Sequence, residues 1–484
     1  MSNLFRKKSL TALIADAQPD EKGLKRTLGT FALVALGIGA IIGAGIFVRT
    51  AAAAGSHAGP GVVWSFVIAG LGCALAGLCY AEFSSMIPVA GSAYTYSYAT
   101  MGELVAWIIG WDLVLEYALG AATVSIAWSE YLNNLLQSYF NTSIPYQWCH
   151  SPMQTSAAGV SGIMNLPAVF ILLLLSLILI RGTSQSALVN NIIVIIKVAI
   201  VLMFILLGWS FINPVNHVPF VPENTGVFGS FGWSGVLRGA GIVFFAYIGF
   251  DAVSTAAQEA KKPQVGMPIG ILGSLVFCTI LYILFSYVLT GVANYKDFGV
   301  NGPGHEASVA WAIQTYMHGY GWLANLITLA ILAGFSSVIL VMLLGQSRVF
   351  YSMSRDGLLP PIFSEIHPRF HTPWKSNILL FIFVGFFGAF LPGDVVGDMT
   401  SIGTLFAFVL VCIGVIVMRK SDPDASRPFK TPWVPVVPIL GALVCLAMIF
   451  GLGWANWSRL LVWLAIGIVI YFGYSQHHSR LDKQ

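Results

Sequence analysis

The sequence predicts an all-α integral membrane protein, and three observations predict it. Hydrophobic residues make up 57% of the chain and charged residues only 9%, with a mean hydropathy of +0.80. A soluble domain carries roughly 25% charge, so a surface this poor in charge is built to face lipid. The apolar residues also fall into successive stretches long enough to cross a bilayer as helix, which takes about 20 residues. Finally, with a cytoplasmic N-terminus, 19 Lys and Arg residues fall on the cytoplasmic connections and 4 on the outer ones. The positive-inside rule then places both termini in the cytoplasm and makes the number of spans even.

Twelve spans follow in order, near residues 30–53, 61–86, 102–136, 164–181, 186–212, 233–256, 267–293, 318–353, 376–392, 398–418, 433–452 and 456–475. Segment 1–29 is polar and charged, without the apolar core of a cleavable signal peptide, and reads as a cytoplasmic N-terminal segment. Residues 30–475 form the transmembrane domain, and 476–484 a cytoplasmic tail. The longest outer connection runs from about 137 to 163. Of the six cysteines, Cys73, Cys79, Cys278, Cys412 and Cys445 lie in spans and Cys149 lies in that outer loop, so no internal outer disulfide and no metal spacing is expected. No cofactor, metal or nucleic-acid partner is called for; the bilayer itself is the expected surroundings.

Span 1 reads Gly37-Ile38-Gly39-Ala40-Ile41-Ile42-Gly43-Ala44-Gly45-Ile46-Phe47. Glycine lets backbone leave helical geometry and lets a ligand approach the main chain. A helix interrupted there exposes amides at the start of its second half, which suit an anion, and carbonyls at the end of its first, which suit an ammonium. One break thus offers both poles to a zwitterion. The competing reading is close helix packing through Gly39 and Gly43. Span 6, Phe244-Phe245-Ala246-Tyr247-Ile248-Gly249-Phe250-Asp251, carries a second mid-span glycine five spans later. Five is odd, so the two halves run oppositely through the membrane. Interrupted spans in corresponding positions point to an inverted repeat with a midplane site.

Five sets of polar groups within spans carry the argument. Asp251 follows the glycine of span 6 and is read as a cap on the second half-helix rather than a direct ligand. Lys197 sits within the apolar run Ile192–Ile200. An ammonium there either carries a proton in a working cycle or forms a permanent structural pair, and the first reading is preferred. Asp112 and Glu116, four apart on span 3, share a helix face and are read as pairing with Lys197, as relaying a proton, or as a structural network. Ser336 and Ser337 on span 8 line an ion or proton site or bond back to their own helix, while Met342 is by default a packing residue. Glu82, near the inner end of span 2, is read as a packing or gating residue. No catalytic triad, metal set or paired-acid arrangement stands out, so the chain is not expected to be an enzyme.

At these residues the chain resembles the amino acid–polyamine–organocation superfamily, and within it bacterial relatives of the cationic amino acid transporter family. The resemblance is carried by the span 1 glycine run, Cys79-Tyr80-Ala81-Glu82-Phe83, Pro88-Val89-Ala90-Gly91-Ser92-Ala93-Tyr94 and Gly110-Trp111-Asp112-Leu113-Val114-Leu115-Glu116-Tyr117. It continues through the span 6 run, Ser354-Arg355-Asp356-Gly357 and Gly403-Thr404-Leu405. It implies a LeuT-type fold: inverted five-helix repeats over about 30–212 and 233–418, then two further helices over about 433–475. By the same resemblance, amides at Ala44 and Gly45 would hold a substrate carboxylate, and carbonyls of Ile41, Phe245, Ala246 and Ile248 its amine. Lys197 matches the lysine that replaces a sodium ion in sodium-coupled relatives, with Ser336 and Ser337 facing it, which implies proton symport; Glu116, from its place on span 3, is counted with them as a proton-coupling residue. Two departures bear on the substrate. Relatives often carry Thr or Ser where this chain has Ala44. Met342 falls where transporters of arginine and lysine carry a small residue, which shortens the pocket and points to small neutral L-amino acids. Uptake of cationic amino acids, amino acid exchange, a sensor that does not transport, and a channel are the alternatives. A small single-helix accessory subunit is compatible with the resemblance.

Overall fold

The computed structural model describes residues 4, 6–8, 28–87, 92–156, 158–182, 187–255, 257, 260–300 and 302–483. Lys22, Lys25 and Arg26, which contribute to the charge asymmetry, lie outside these residues, as do residues 88–91 of the motif that begins at Pro88 and most of segment 1–29.

Among the described residues the backbone is helical, with two isolated β-bridges, Leu28 with Ala260 and Thr155 with Ser161. The longer helices are α1 (Thr30–Ile41), α2 (Val62–Met86), α3 (Ser92–Thr100), α4 (Glu103–Val114), α5 (Gly120–Phe140), α6 (Leu166–Arg181), α7 (Ala187–Gly208) and α8 (Gly232–Val243). They continue as α9 (Pro263–Val292), α10 (Ser308–Tyr316), α11 (Gly321–Arg355), α12 (Trp374–Phe390), α13 (Gly393–Ser421), α14 (Val436–Gly451) and α15 (Trp454–Ile470). Backbone amides and carbonyls have no water partner in hydrocarbon, so a chain of this composition satisfies them inside helices.

Among the described residues, seven helical stretches are long and apolar enough to cross a membrane: Gly45–Met86, Glu103–Phe140, Asn191–Phe211, Pro263–Val292, Gly321–Arg355, Gly393–Ser421 and Trp454–His478. Four shorter apolar helices, α1, α6, α12 and α14, stand beside them. Lipid-facing side chains such as Leu206, Phe170, Val469 and Ile382 are largely exposed on the bare protein surface, the pattern of a multi-pass membrane protein rather than a water-soluble one.

Three interruptions shape the interior. Helix α1 stops at Ile41, whose successor Ile42 is extended at φ −73°, ψ 101°, and helical geometry resumes in a wide π-type turn, Gly45–Arg49, leading into Thr50–Ala53. Helix α8 tightens into a 3₁₀ turn, Phe244–Tyr247, then breaks at Ile248, with Gly249 at φ +111° before the short helix Ala252–Thr255. A third irregularity, the π-type turn Leu115–Leu119, joins α4 to α5. Such wide turns inside helices are frequently found at functional sites. Helix α9 packs along both α1 and α2, α11 runs along α5, and the turns Gly45–Arg49 and Phe244–Tyr247 lie against each other.

The two chain ends meet on one face. Lys8 Nζ donates to Asp356 Oδ1 at 3.2 Å, and Arg480 N donates to the Asp356 carbonyl at 3.1 Å. Nearby, Glu103 accepts from Tyr98, Tyr471 and Ser479. At the end of α2, buried Glu82 receives Arg419 through two bonds of 2.8 and 2.9 Å and the Thr431 amide at 2.8 Å, with Arg427 at 3.3 Å. Glu82 therefore ties α2 to α13 and to the connection that follows it.

Candidate functional site

The two helix breaks pack backbone against backbone. A Cβ on Gly45 would collide with the Cα and N of Ala246, and one on Gly249 would sit 2.9 Å from the carbonyl oxygen of Ala40. Only glycine allows both approaches, and at Gly249 the left-handed φ demands it as well. Gly43 differs: a Cβ there would meet Val338 at 3.4 Å, an ordinary contact. Ala44, Phe245, Ala246 and Ile248 are all buried at this meeting point.

The carbonyls of Ile41 and Ala246 converge on a single hydroxyl. Tyr282 Oη, on α9, lies 3.0 Å from each oxygen. One hydroxyl proton serves two acceptors, so the pair retains unfilled capacity for a donor with more protons, such as an ammonium. Tyr282 was not singled out by the sequence. It lies in an apolar span with many aromatics, and only the fold brings it to a break some 40 residues away.

Lys197 on α7 is buried, and its Nζ donates to the Gly39 carbonyl at 2.9 Å. That places the ammonium on the last full turn of α1 before the break. Its side chain packs on Gly334 of α11, where a Cβ would meet Lys197 Cε at 2.8 Å. A narrow apolar crevice beside it is lined by Ile42, Phe47, Ile200, Ile331 and Phe335. The reading of Asp112 and Glu116 as partners of Lys197 is not what the structure has: the lysine's acceptor is backbone. Ser336 likewise donates to Leu332 of its own helix at 2.8 Å, and the residue of that stretch on the lysine is Gly334. Ser337 is buried.

The acids of span 3 face α13. Asp112 lies at Gly403, and Glu116 lies beside Asp251 and Thr404. Both Asp112 oxygens are buried without a hydrogen-bond donor. Asp251, expected as a cap, accepts from Tyr117 at 2.6 Å through its side chain. Met342 packs on Gly120, where a Cβ would meet its sulfur at 2.9 Å. One helical turn earlier on α11, Val338 lies at Gly43 of the broken segment.

The arrangement offers paired carbonyls, a buried cation one turn away and glycine-permitted close approach of two backbones. Known proteins carry the same sequence pattern. The family model described as amino acid permease matches residues 28–473. A methylthioribose transporter of Bacillus subtilis (strain 168) is 44% identical over 100% of both chains. The branched-chain amino acid permease BcaP of the same organism is 46% identical over 99% of each, and BcaP of Lactococcus lactis subsp. cremoris is 35% identical over 98% of this chain and 99% of its own. More distant matches include the chloroplastic cationic amino acid transporter 9 of Arabidopsis thaliana, 37% identical over 94% of this chain and 78% of its own. The chain belongs to the amino acid permease family, within the amino acid–polyamine–organocation superfamily, and is a multi-pass membrane transporter, not an enzyme.

Proposed function

We propose that this transporter imports small neutral L-amino acids, branched-chain ones foremost, by proton symport and alternating access. The observation that carries the reading is the convergence of the Ile41 and Ala246 carbonyls at the two helix breaks. A substrate ammonium taking the place of the Tyr282 hydroxyl would satisfy both, and amides near Ala44 and Gly45 would take the carboxylate. Phe245 and Ile248 complete the broken turn. The resemblance to two branched-chain permeases supports an aliphatic side chain, and Met342 against Gly120 limits its length. Twelve spans in an inverted repeat, with the divisions at 30–212, 233–418 and 433–475, give these breaks a midplane position. Cytoplasmic termini in the cell membrane agree with the 19-to-4 cation asymmetry and with both terminal segments meeting at Asp356.

Proton coupling rests on Lys197. Charged, it donates to Gly39 and holds α7 to α1; neutral, it releases that charge-assisted hold, so one proton changes the link between an outer helix and the broken one. Uptake by proteoliposomes under an imposed proton gradient tests the whole reading, with alanine, valine, leucine, isoleucine and arginine as substrates. We expect gradient-driven uptake of the neutral substrates, its loss in Lys197→Ala, and admission of larger side chains in Met342→Ser. Leucine uptake that persists after the gradient collapses defeats the coupling.

The 44% identical methylthioribose transporter favours a second reading, a neutral thio-sugar substrate. Such a solute has neither ammonium nor carboxylate and would leave the carbonyl pair unused. Competition between methylthioribose and leucine in the same vesicles separates the two.

A further inference from the structure

Helix α15, the twelfth span, lies mostly open to lipid, and its buried residues are Asn456, Leu460 and Gly467. A buried amide on such a helix carries a desolvation cost unless its polar atoms are bonded. Those of Asn456 are. Its Nδ2 donates to Asp398 Oδ2 and to the Leu452 carbonyl, each at 3.0 Å, and its Oδ1 accepts from Arg459 Nη1 at 2.6 Å. The partners fix which way the amide points, because a carboxylate and a carbonyl only accept and a guanidinium only donates.

Asp398 of α13 divides its carboxylate between two elements. Its Oδ2 takes Asn456, and its Oδ1 takes Nη2 of Arg49. Arg49 belongs to the resumed half of span 1 and is buried. Its guanidinium lies on Gly397 of α13, where a Cβ would come within 3.1 Å of the Arg49 Cζ. The same side chain helps to line a cavity of about 60 Å³, together with Ala44 at the break, Ala127 of α5, and Gln154 and His305 of the outer loops. On this side, the direction of the Asp398 carboxylate therefore decides whether the resumed half of span 1 is tied to α13. The terminal torsion of an aspartate is soft, so pinning one oxygen aims the other. Arg459, Asn456, Asp398 and Arg49 form one chain of hydrogen bonds from α15 to span 1.

We propose that Asn456 is a positioning residue: from span 12 it aims Asp398 at Arg49 and so sets how readily the resumed half of span 1 parts from α13 when the outer side opens. The proposal rests on the alternating-access reading above. It gives a helix outside both proposed repeats a part in the transport cycle.

Labelling of a single outer thiol decides it. Ala127 is buried, so in Ala127→Cys, built on Cys149→Ser, a membrane-impermeant maleimide reaches the new thiol only when the outer side opens. Adding Asn456→Ala is expected to speed labelling about tenfold, the population shift that accompanies loss of one hydrogen bond to a charged group. Maximal leucine uptake by Asn456→Ala should fall, while the leucine concentration that gives half of it stays level or drops, because more of the protein waits open to the outside. Arg49→Met keeps the bond between Asn456 and Asp398 but removes what that bond aims at. In that background Asn456→Ala should change labelling by less than about twofold. Should Asn456→Ala not survive purification, Asn456→Asp carries the same expectations, because it keeps the shape and turns the donor into an acceptor. Unchanged labelling overturns the proposal. So does equal acceleration with and without Arg49, which would make Asn456 a packing residue between α13 and α15. Labelling needs no substrate, so a wild type that takes up no leucine rejects the amino acid reading and leaves the labelling result to decide the role of Asn456.

Discussion

Tyr282 is the residue whose role the structure defines most narrowly. Its hydroxyl stands 3.0 Å from two carbonyls at two different helix breaks, the position assigned above to the substrate amine. If the hydroxyl is a placeholder, Tyr282→Phe leaves those carbonyls short of a donor only in the empty transporter. An unsatisfied buried acceptor costs about 1–3 kcal/mol. We therefore expect the empty variant to melt lower than wild type, and saturating leucine to raise its melting temperature by more than it does in wild type. A smaller ligand-induced rise would mean that the hydroxyl contacts the substrate directly. Lys197 shows the complementary lesson. Its burial and its charge were evident in the run Ile192–Ile200, and burial made a nearby partner necessary. Which partner was not evident, because a backbone carbonyl such as that of Gly39 leaves no mark in the sequence, whereas carboxylates at Asp112 and Glu116 do.

At the scale of the element, the breaks are where sequence and geometry divide most instructively. The glycine run marked the segment, but glycine content alone did not say which glycine bears the constraint. Gly43 and Gly45 were both candidates for the break; the structure puts the demand on Gly45, where any Cβ would overlap the Ala246 backbone. That overlap depends on a partner 201 positions along the chain, so no local pattern encodes it. Gly43→Ala, facing Val338 at ordinary contact distance, is expected to leave folding and uptake within a factor of about two of wild type. Gly45→Ala must separate the two turns, and overpacking of a tight contact costs about 1–3 kcal/mol or more. Its melting temperature and uptake should both fall, with Gly45→Val worse. Equal tolerance at the two positions, measured by thermal melts and leucine uptake, would show that the turns are not in close register. The irregular turn Leu115–Leu119 escaped the sequence altogether, since its residues read as good helix and only the packing of Glu116 and Tyr117 against span 6 accompanies it.

Across the whole molecule, the membrane character was legible from composition because the solvent acts on every surface residue at once, whereas the couplings between distant segments were not. Glu82 with Arg419 and Arg427, and Asp356 with Lys8, join elements more than 300 residues apart. A corresponding coupling spans the outer side. His150, in the long loop after α5, donates to Glu306 before α10 at 2.8 Å, stacks on Tyr146 at 3.7 Å between ring centroids and lies 3.2 Å from Cys149 Sγ. Burial pushes the imidazole toward neutrality, but hydrogen bonds with Cys149 and Glu306 outweigh it and hold its pKa up to about 10. Glu306 is partly buried, which raises its pKa, yet the His150 bond and charge bring it below the ordinary glutamate value. A raised histidine pKa contributes stability that is complete below its unfolded value near 6.5 and is lost as pH climbs through about 10. A lowered glutamate pKa contributes stability present above its unfolded value near 4.5 and lost as pH falls through the folded one. The loop-to-loop pair is thus intact from mildly acidic to mildly alkaline pH and fails at both extremes. His150→Gln removes it at every pH. The difference in melting temperature between wild type and His150→Gln should be largest and level from about pH 5 to 6.5, fall steadily above that, and be lost by about pH 10. A difference that does not change between about pH 6.5 and 10 would mean that the imidazole titrates as a free side chain and that the two outer loops are held by other contacts.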